Sequence, residues 1–323
     1  MSPHAMGAVE RLRPGADEHF REDVIAGLCA RPRTISPRWF YDHRGSELFE
    51  EITRLPEYYL TRAERVLLQA HAREIAALAG PGRALIELGS GSSAKTGLLL
   101  EAIAPAAYVP MDISADFLRE SASRLARQFP SLPVHPLAVD FMRPFSLPQV
   151  LRDTPRVAYF AGSTIGNMTV AAGVDFLRNL ARVLGPNSLL LIGIDRIKDP
   201  ERLLAAYDDS QGVTAQFNLN LLHRINRELQ ACIPVQEFRH VARWNDHEAR
   251  IEMHLQALSD VDFALGGRTF RIPRGETIHT ENSLKYGPRD ARALLRAGWW
   301  APRAEWTHRD DEFALILASA AVP

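Results

Sequence analysis

The sequence predicts an α/β fold built on a mainly parallel, doubly wound sheet. In the middle of the chain, short apolar runs alternate with segments of helical periodicity. Each apolar run suits a strand that is covered on both faces, and the alternation is typical of βαβ units. Two further strand-like runs, joined by a short polar turn, follow the last helical segment. An antiparallel pair is therefore expected to close the sheet.

The individual elements follow from these patterns. The strands of the series are predicted at Ala84–Leu88, Tyr108–Met111, Val134–Val139, Val157–Phe160 and Leu189–Ile194. Helical periodicity predicts helices at Lys95–Ile103, Asp116–Gln128, Ala171–Leu184 and Asp290–Ala297. The closing strands are predicted at Arg303–Trp306 and Phe313–Ala318, with His308–Asp311 as their turn.

The block from residue 198 to 285 breaks this alternation. It contains two helical stretches, followed by strand-like segments with alternating polarity, at Pro200–Asp209, Val213–Leu229, Arg250–Leu258, Thr269–Ile272 and Glu276–His279. The first 60 residues do not fit the series either. We predict a core domain of residues 62–197 and 286–323. Residues 1–61 and 198–285 are expected to form a second, lid-like α+β domain that binds the substrate.

A glycine turn follows the first strand of the series. Gly89, Ser90 and Gly91, with Ala94, fit the pattern G-x-G-x-x-A between a strand and a helix. Such a turn lets a nucleoside cofactor lie against the carboxyl end of the strand. Asp112, which ends the second strand 23 residues beyond Gly89, is placed to accept hydrogen bonds from ribose hydroxyls. The sequence therefore predicts a nucleotide-type cofactor.

Composition excludes several classes of function. The net charge is −1 without a basic run, so a nucleic-acid partner is not expected. Cys29 and Cys232 form no C-x-x-C, and the 11 histidines show no H-E-x-x-H spacing, so neither a disulfide nor a metal site is predicted. The sequence has no apolar run of about 18 residues and no apolar leader segment. No membrane association and a cytoplasmic location are expected.

One glycine turn together with a closing antiparallel pair resembles class I S-adenosylmethionine methyltransferases, which have a Rossmann-like sheet. The resemblance implies that Gly89–Gly91 is the cofactor loop and that Asp112 binds the ribose. Asp140 and Phe141, just past the third strand, match the place where such enzymes hold the adenine. From the residues alone, Asp140 could instead cap a helix or turn and Phe141 could pack in the core. Lys95 could approach the cofactor carboxylate or be solvated.

Longer motifs carry a more specific resemblance. They lie at Trp39–Tyr59, Gly162–Asn167, Lys198–Asp209, Phe217–Leu222, Ile251–Leu255 and Thr280–Lys285. These segments resemble the signatures of the histidine-specific methyltransferase family, and the match extends over nearly the whole chain after about residue 18. Leu60, where relatives often have proline, departs from the pattern only at a turn.

The resemblance implies roles for four residues around the amino-acid backbone of the substrate. Asn167 and Tyr207 match residues that hold the histidine carboxylate, and Tyr58 matches another contact in this region. Tyr41 matches a tyrosine close to the α-amine. We regard Tyr41 and Asn167 as the catalytic candidates. Without the resemblance, Tyr207 fits core packing equally well, because it follows two leucines at helical spacing.

Three further residues are implied on the side of the imidazole. Glu281 and Ser283 match the pair that recognises the ring, and Met253 packs beside it. If this segment is extended, residues two apart share a face, so that Glu281 and Ser283 point together and Asn282 points away. On pattern alone, Glu281 is typical of a solvated strand acid and Met253 of a core residue.

The function that the resemblance implies is Nα-trimethylation of L-histidine to hercynine by S-adenosylmethionine, the first step of ergothioneine biosynthesis. A monomer is expected. The alternatives are a methyltransferase for another amino acid or small amine, a nicotinamide oxidoreductase, and a catalytically silent cofactor-binding protein. The single glycine turn disfavours the second alternative, and the intact substrate-side motifs disfavour the third.

Overall fold

The structure is a computed structural model that describes residues 16–91, 95–309 and 312–323. The helices are α1 (Ala16–Cys29), α2 (His43–Ile52), α3 (Leu60–Ala79), α4 (Thr96–Ile103), α5 (Ala115–Gln128), α6 (Val170–Leu184), α7 (Pro200–Tyr207), α8 (Val213–Leu229) and α9 (Pro288–Ala297). The first strands are β1 (Arg33–Thr34), β2 (Ala84–Leu88), β3 (Ala107–Asp112), β4 (Leu137–Ala138), β5 (Arg156–Phe160) and β6 (Leu189–Asp195). The later strands are β7 (Phe238–Asn245), β8 (Arg250–Ala257), β9 (Val261–Leu265), β10 (Arg268–Ile272), β11 (Thr277–Leu284), β12 (Trp300–Thr307) and β13 (Phe313–Ala320).

The chain divides into two compact units. The first contains Leu60–Ile197 and Leu284–Pro323, and the second contains residues 16–59 and Lys198–Ser283. Ala94 of the predicted glycine pattern and residues 310 and 311 of the predicted turn lie outside the described residues. Within the described ranges, none of the helices has the length and apolar character that crossing a membrane requires.

The first unit contains a sheet of strand order β12-β13-β6-β5-β2-β3-β4. Neighbouring strands from β6 to β4 are parallel, whereas β13 is antiparallel to both β6 and β12. The predicted α/β fold with an antiparallel closing strand is therefore confirmed. Strands β2 and β6 are buried along their whole length, as expected for strands covered by helices on both faces.

The third strand of the series is shorter than predicted. Only Leu137–Ala138 pairs with β3, and Val134 forms an isolated bridge to Tyr108. Pro136 lies between these two points of contact. Because proline has no N–H to donate, it interrupts the ladder at this edge of the sheet.

The second unit contains a sheet of strand order β1-β11-β8-β7 and the hairpin β9-β10. Helix α8 packs against β7 and β8. The sequence patterns did not reveal β7, whose residues are mostly half-exposed and show no alternation. Strand β11 extends to Leu284 rather than ending at His279, so Glu281 and Ser283 lie in an extended segment, which is the condition for their sharing a face.

Candidate active site

The glycine turn at the end of β2 has the backbone conformation that its sequence predicts. Gly89 and Gly91 have φ values of +68° and +50°, in the left-handed region that disfavours residues with a side chain. The Ser90 N–H donates to the Met111 carbonyl at 2.9 Å, which fixes the turn beside β3. Ser90 Oγ is buried and has no hydrogen-bond partner among the described residues. It is therefore a polar group that a bound ligand could satisfy.

Asp112 is bonded to the same turn. One carboxylate oxygen accepts from the Gly91 N–H at 3.0 Å and the other from the Ser114 N–H at 3.0 Å. Burial raises the pKa of Asp112, and these backbone hydrogen bonds partly oppose the rise. Each carboxylate oxygen can accept a second hydrogen bond. The arrangement therefore fits the predicted binding of ribose hydroxyls.

Phe141 and Asp140 lie close to this turn. A Cβ placed on Gly89 would be 3.7 Å from Phe141 Cε1, so the Phe141 ring borders the space that the glycine leaves open. Its other neighbours include Phe160, at 5.7 Å between ring centroids. Asp140 accepts from the Met142 N–H at 3.0 Å, as in the turn-capping alternative. The half-buried Phe141 both packs on the core and borders the turn.

Lys95 is held inside the first unit. Its Nζ forms an ion pair with Glu64, a residue of α3 that is wholly buried. Both carboxylate oxygens of Glu64 also accept from the Gly162 N–H at 3.1 Å. Glu64 therefore connects the start of α4 with the end of β5. No sequence signal separated it from the other acids of an amphipathic helix.

Asn167 ends a 3-10 turn, Thr164–Asn167, that follows β5. Gly166 allows a close approach to Leu284 in the same unit, because a Cβ at this position would lie 2.7 Å from the Leu284 carbonyl oxygen. At the start of the turn, Ser163 has φ +58° and its Oγ accepts from the Asp195 N–H at 2.9 Å. These contacts hold the turn that presents the half-buried Asn167.

A buried ion pair supports this turn. Lys285 Nζ lies 2.8 Å from Asp195 Oδ2, and neither side chain is exposed. Breaking such a pair by removing one partner leaves an uncompensated buried charge. Lys285 belongs to the motif Thr280–Lys285, so the sequence singled out this lysine. Its pairing with Asp195 could not be read from the sequence, because it depends on where the sheet places Asp195.

In the second unit, the structure brings Tyr58, Tyr207 and Ser283 together. The Tyr207 hydroxyl lies 2.6 Å from Ser283 Oγ, and the rings of Tyr58 and Tyr207 are 6.3 Å apart between centroids. Tyr59 is engaged elsewhere, since its hydroxyl accepts from Lys198 Nζ at 2.7 Å. Of the two adjacent tyrosines, Tyr58 is therefore the one beside Tyr207.

Tyr41 lies in an aromatic group of the same unit. Its ring is 5.7 Å from Phe49 and 5.7 Å from Phe217, both approximately edge-on. The Phe49 ring in turn lies 6.2 Å from Tyr58. Tyr41 is half-buried. The structure thus places Tyr41, Phe49 and Tyr58 in one continuous set of ring contacts.

Glu281 and Met253 occupy neighbouring strands. Glu281 is 8% exposed and Met253 is 1% exposed, so Glu281 is not the solvated strand acid of the alternative interpretation. The Thr280 hydroxyl, in the residue that precedes Glu281, lies 3.1 Å from the Met253 carbonyl oxygen. Both residues therefore lie in the interior of the second unit, on adjacent strands of its sheet.

Glu252, His254 and His279 form a group that sequence spacing did not reveal. Their possible ligand atoms lie within 4.8 Å of one another. The Glu252 carboxylate already accepts from Asn245 at 2.9 Å, Arg250 at 2.8 Å and His254 at 3.1 Å. Burial opposes ionisation, but these hydrogen bonds lower the pKa of Glu252 to about 2. Because the Arg250 guanidinium already neutralises the carboxylate, the group is a hydrogen-bonded cluster.

The sheet order and the glycine turn, with Asp112 and Phe141 beside it, define a Rossmann-like S-adenosylmethionine-dependent methyltransferase of class I. Residues 20–320 match the model of one family within this class, the histidine-specific, S-adenosylmethionine-dependent methyltransferases. The chain belongs to that family.

Named relatives support the assignment. The chain is 42% identical to histidine N-alpha-methyltransferase of Mycolicibacterium smegmatis, over 94% of this chain and 95% of the relative. It is 43% identical to histidine N-alpha-methyltransferase of Mycobacterium tuberculosis, over 93% of this chain and 94% of the relative. Ergothioneine biosynthesis protein 1 of Neurospora crassa is 32% identical over 90% of this chain, which spans 33% of that longer protein.

Proposed function

We propose that this protein transfers methyl groups from S-adenosylmethionine to the α-amine of L-histidine until hercynine is formed, the first step of ergothioneine biosynthesis. The observation that carries the proposal is the 2.6 Å contact between the Tyr207 hydroxyl and Ser283 Oγ. The contact joins Tyr207, a candidate for binding the substrate carboxylate, to Ser283, a candidate for binding the ring. Ser283 lies two residues after the nearly buried Glu281 on β11.

The residues of the first unit are suited to hold the methyl donor. Asp112 would accept from the ribose hydroxyls, and Phe141 would lie against the adenine, with Gly89 and Gly91 leaving room for the nucleoside. The unpartnered Ser90 Oγ supports this fit. The donor supplies a methyl group on a positively charged sulfur. No covalent enzyme intermediate is needed, because the amine itself is the nucleophile.

Glu281 and Ser283 would select the imidazole ring. Glu281 accepts a hydrogen bond from one ring N–H, and Ser283 can donate to or accept from the other nitrogen. A hydrogen bond to a charged group contributes about 1.5–3 kcal/mol. An analogue that lacks the ring N–H cannot make this hydrogen bond and binds with a corresponding penalty. Discrimination against other aromatic amino acids follows from that penalty.

Asn167, Tyr58 and Tyr207 would hold the carboxylate end of the substrate with neutral groups. Neutral groups orient the α-amine without trapping it in an ion pair, so its lone pair stays available. Holding reactants in a near-attack geometry can lower the barrier by about 7–11 kcal/mol at best. Before each transfer the amine must lose a proton. We propose that the proton leaves to water past Tyr41.

The proton route is tested by Tyr41→Phe. The substitution keeps the ring contacts with Phe49 and Phe217 and removes only the hydroxyl. A slower turnover with a shifted pH profile is expected. A rate and a pH profile equal to those of the wild type would remove Tyr41 from the proton route.

The overall proposal is tested by incubating the protein with S-adenosylmethionine and a panel of amino acids and small amines. Mass spectrometry should show histidine gaining one, two and finally three methyl groups. The quaternary product cannot react further because it has no lone pair. Preferential methylation of another amine would refute the proposed substrate while leaving the methyltransferase class intact.

The Glu281→Ala variant tests substrate choice. Loss of the ring contact should weaken histidine binding and relax the preference over aromatic amino acids in a competition assay. An unchanged preference would contradict the role of Glu281. The monomeric state and the cytoplasmic location also remain predictions, which light scattering and cell fractionation would test.

A further inference from the structure

A chain of polar side chains, formed by the buried Thr280 and Asn218 and the half-buried His240, runs behind the candidate histidine site in the second unit. The Thr280 hydroxyl donates to Asn218 Oδ1 at 2.8 Å. The Asn218 amide lies 2.8 Å from His240 Nδ1 and donates to the His254 carbonyl at 3.1 Å. His240 Nε2 lies 2.8 Å from the Tyr207 carbonyl oxygen. We call Thr280, Asn218 and His240 the relay.

The direction of every hydrogen bond in the relay is determined by its partners. A carbonyl oxygen can only accept, so His240 Nε2 carries the proton and donates to Tyr207. His240 Nδ1 then bears a lone pair and accepts from the Asn218 amide. The amide has this orientation because its NH₂ group must also reach the His254 carbonyl. Burial lowers the pKa of His240, which keeps the ring in the neutral form that the pattern requires.

The interior of the relay is closed to water. Asn218 is 0% exposed and Thr280 is 1% exposed. In such surroundings, a polar group that loses its partner is destabilising, because water cannot replace the lost hydrogen bond. Hydrogen bonds that are fully satisfied and buried specify one arrangement of the elements they connect. The relay therefore has a definite geometry rather than a set of interchangeable contacts.

Each end of the relay adjoins a candidate substrate-binding residue: Thr280 adjoins Glu281, and His240 is bonded to Tyr207. Thr280 lies directly before Glu281 on β11, and Tyr207 is the last residue of α7. The Tyr207 hydroxyl also contacts Ser283 Oγ at 2.6 Å. Tyr207 is consequently held at both ends, by its backbone carbonyl through the relay and by its phenol through β11.

We propose that His240, together with Asn218 and Thr280, is a positioning residue of the histidine site that sets the spacing between Tyr207 and the ring-binding residues Glu281 and Ser283. This inference rests on the proposed function. A substrate is then selected by the distance between its carboxylate and its ring as well as by the chemistry of each end. Because this spacing is fixed before the substrate binds, less ordering entropy opposes binding.

The test compares His240→Phe with His240→Gln. Phenylalanine has a ring of similar size but can neither donate nor accept, whereas the glutamine amide can do both. Binding of L-histidine is measured by calorimetry in the presence of S-adenosylhomocysteine. The Kd of His240→Phe should rise about tenfold or more, the equivalent of one buried hydrogen bond lost. His240→Gln should restore most of the affinity, and the Kd for S-adenosylhomocysteine should be unchanged in both variants.

Phe238→Leu is the matched control. Phe238 is buried in the same strand and is outside the relay, so its substitution should lower the melting temperature without changing histidine affinity. If His240→Phe binds histidine like the wild type, or if His240→Gln binds no better than His240→Phe, the relay has no positioning role. Equal weakening in Phe238→Leu would show that general loss of stability is the cause, which also overturns the inference.

The same titrations separate this inference from the proposed function. A wild-type protein that does not bind histidine would refute the proposed function, and the positioning role with it. A wild-type protein that binds histidine with an affinity independent of residue 240 would refute only the relay.

Discussion

The hydroxyl of Tyr207 lies 2.6 Å from Ser283 Oγ, and both side chains are buried. Either oxygen can be the donor, so a single hydrogen bond joins Tyr207, the last residue of α7, to Ser283, near the end of β11. The family resemblance implies that these residues bind opposite ends of the histidine molecule, so the contact would link carboxylate recognition to ring recognition.

This contact predicts non-additive effects of Tyr207→Phe and Ser283→Ala. Each single substitution removes the shared hydrogen bond and should raise the Kd for histidine about tenfold. Once one hydroxyl is gone, removing the other costs less, so the double variant should bind more tightly than the product of the two effects predicts. Histidine titrations of all three variants measure the coupling. Strictly additive losses would show that the two hydroxyls act independently.

The ion pair between the buried Glu64 and the half-buried Lys95 predicts a loss of stability and of cofactor affinity when it is broken. Glu64→Gln leaves the lysine without its counter-charge. Because Lys95 is partly exposed, the loss of stability should be smaller than the loss of about 3–5 kcal/mol that is typical of a fully buried pair. Because Lys95 directly precedes α4, the KM for S-adenosylmethionine should rise more than the KM for histidine.

Chemical denaturation and steady-state kinetics measure these two effects. The double variant Glu64→Gln/Lys95→Met is the control, because it removes both charges and should recover part of the stability that Glu64→Gln loses. A double variant less stable than either single variant would contradict the pairing.

Glu87 predicts an unusual pH dependence of stability. This β2 residue accepts hydrogen bonds from Thr96 at 2.7 Å and from the Tyr108 hydroxyl. Burial raises its pKa from 4.5 to about 7, despite these hydrogen bonds. Between pH 4.5 and 7 the folded state therefore binds more protons at this site than the unfolded state does, and the contribution of Glu87 to the free energy of unfolding falls as the pH rises.

The Glu87→Gln variant should lose this dependence. The wild type should lose about 3 kcal/mol relative to the variant between pH 4.5 and pH 7, before discounting for relaxation around the carboxylate. Urea denaturation of both proteins at several pH values measures the difference, in which the other titrating groups cancel. Parallel stability curves would show that Glu87 titrates normally in the folded state.

Gly166 predicts a steric requirement in the turn that presents Asn167. An added Cβ would lie 2.7 Å from the Leu284 carbonyl oxygen and 3.1 Å from its nitrogen, and backbone atoms cannot rotate away. Gly166→Ala should therefore cost about 1–3 kcal/mol of stability. The resulting shift of the turn should raise the KM for histidine.

Gly173→Ala is the matched control for this clash. Gly173 lies in α6, where the nearest atom to an added Cβ is 3.5 Å away, an ordinary contact. Alanine in a helix interior is favoured over glycine by about 1 kcal/mol. This variant should be as stable as the wild type or more so, with unchanged kinetics. Equal destabilisation of both variants would rule out the specific contact with Leu284.

The sequence alone determined the order of the βαβ series, the glycine turn with Asp112, and the family. These features depend on local signals: apolar runs of strand length, glycines that permit positive φ, and contiguous motifs. The predicted strand ended at His279, before Glu281 and Ser283, whereas β11 runs to Leu284. Short-range information also failed at β4, where Pro136 interrupts the ladder, and at β7, where half-exposed polar residues conceal the strand.

The tertiary structure alone decided which distant groups meet. Glu64 reaches Lys95 across 31 positions, and Tyr207 reaches Ser283 across 76. His240 carries no recognisable motif, yet it bonds to Asn218 and Tyr207. Side-chain pairing over such separations depends on strand order and helix packing, which bring each charge or polar group to a partner as it leaves water. Local sequence patterns therefore do not predict those partners.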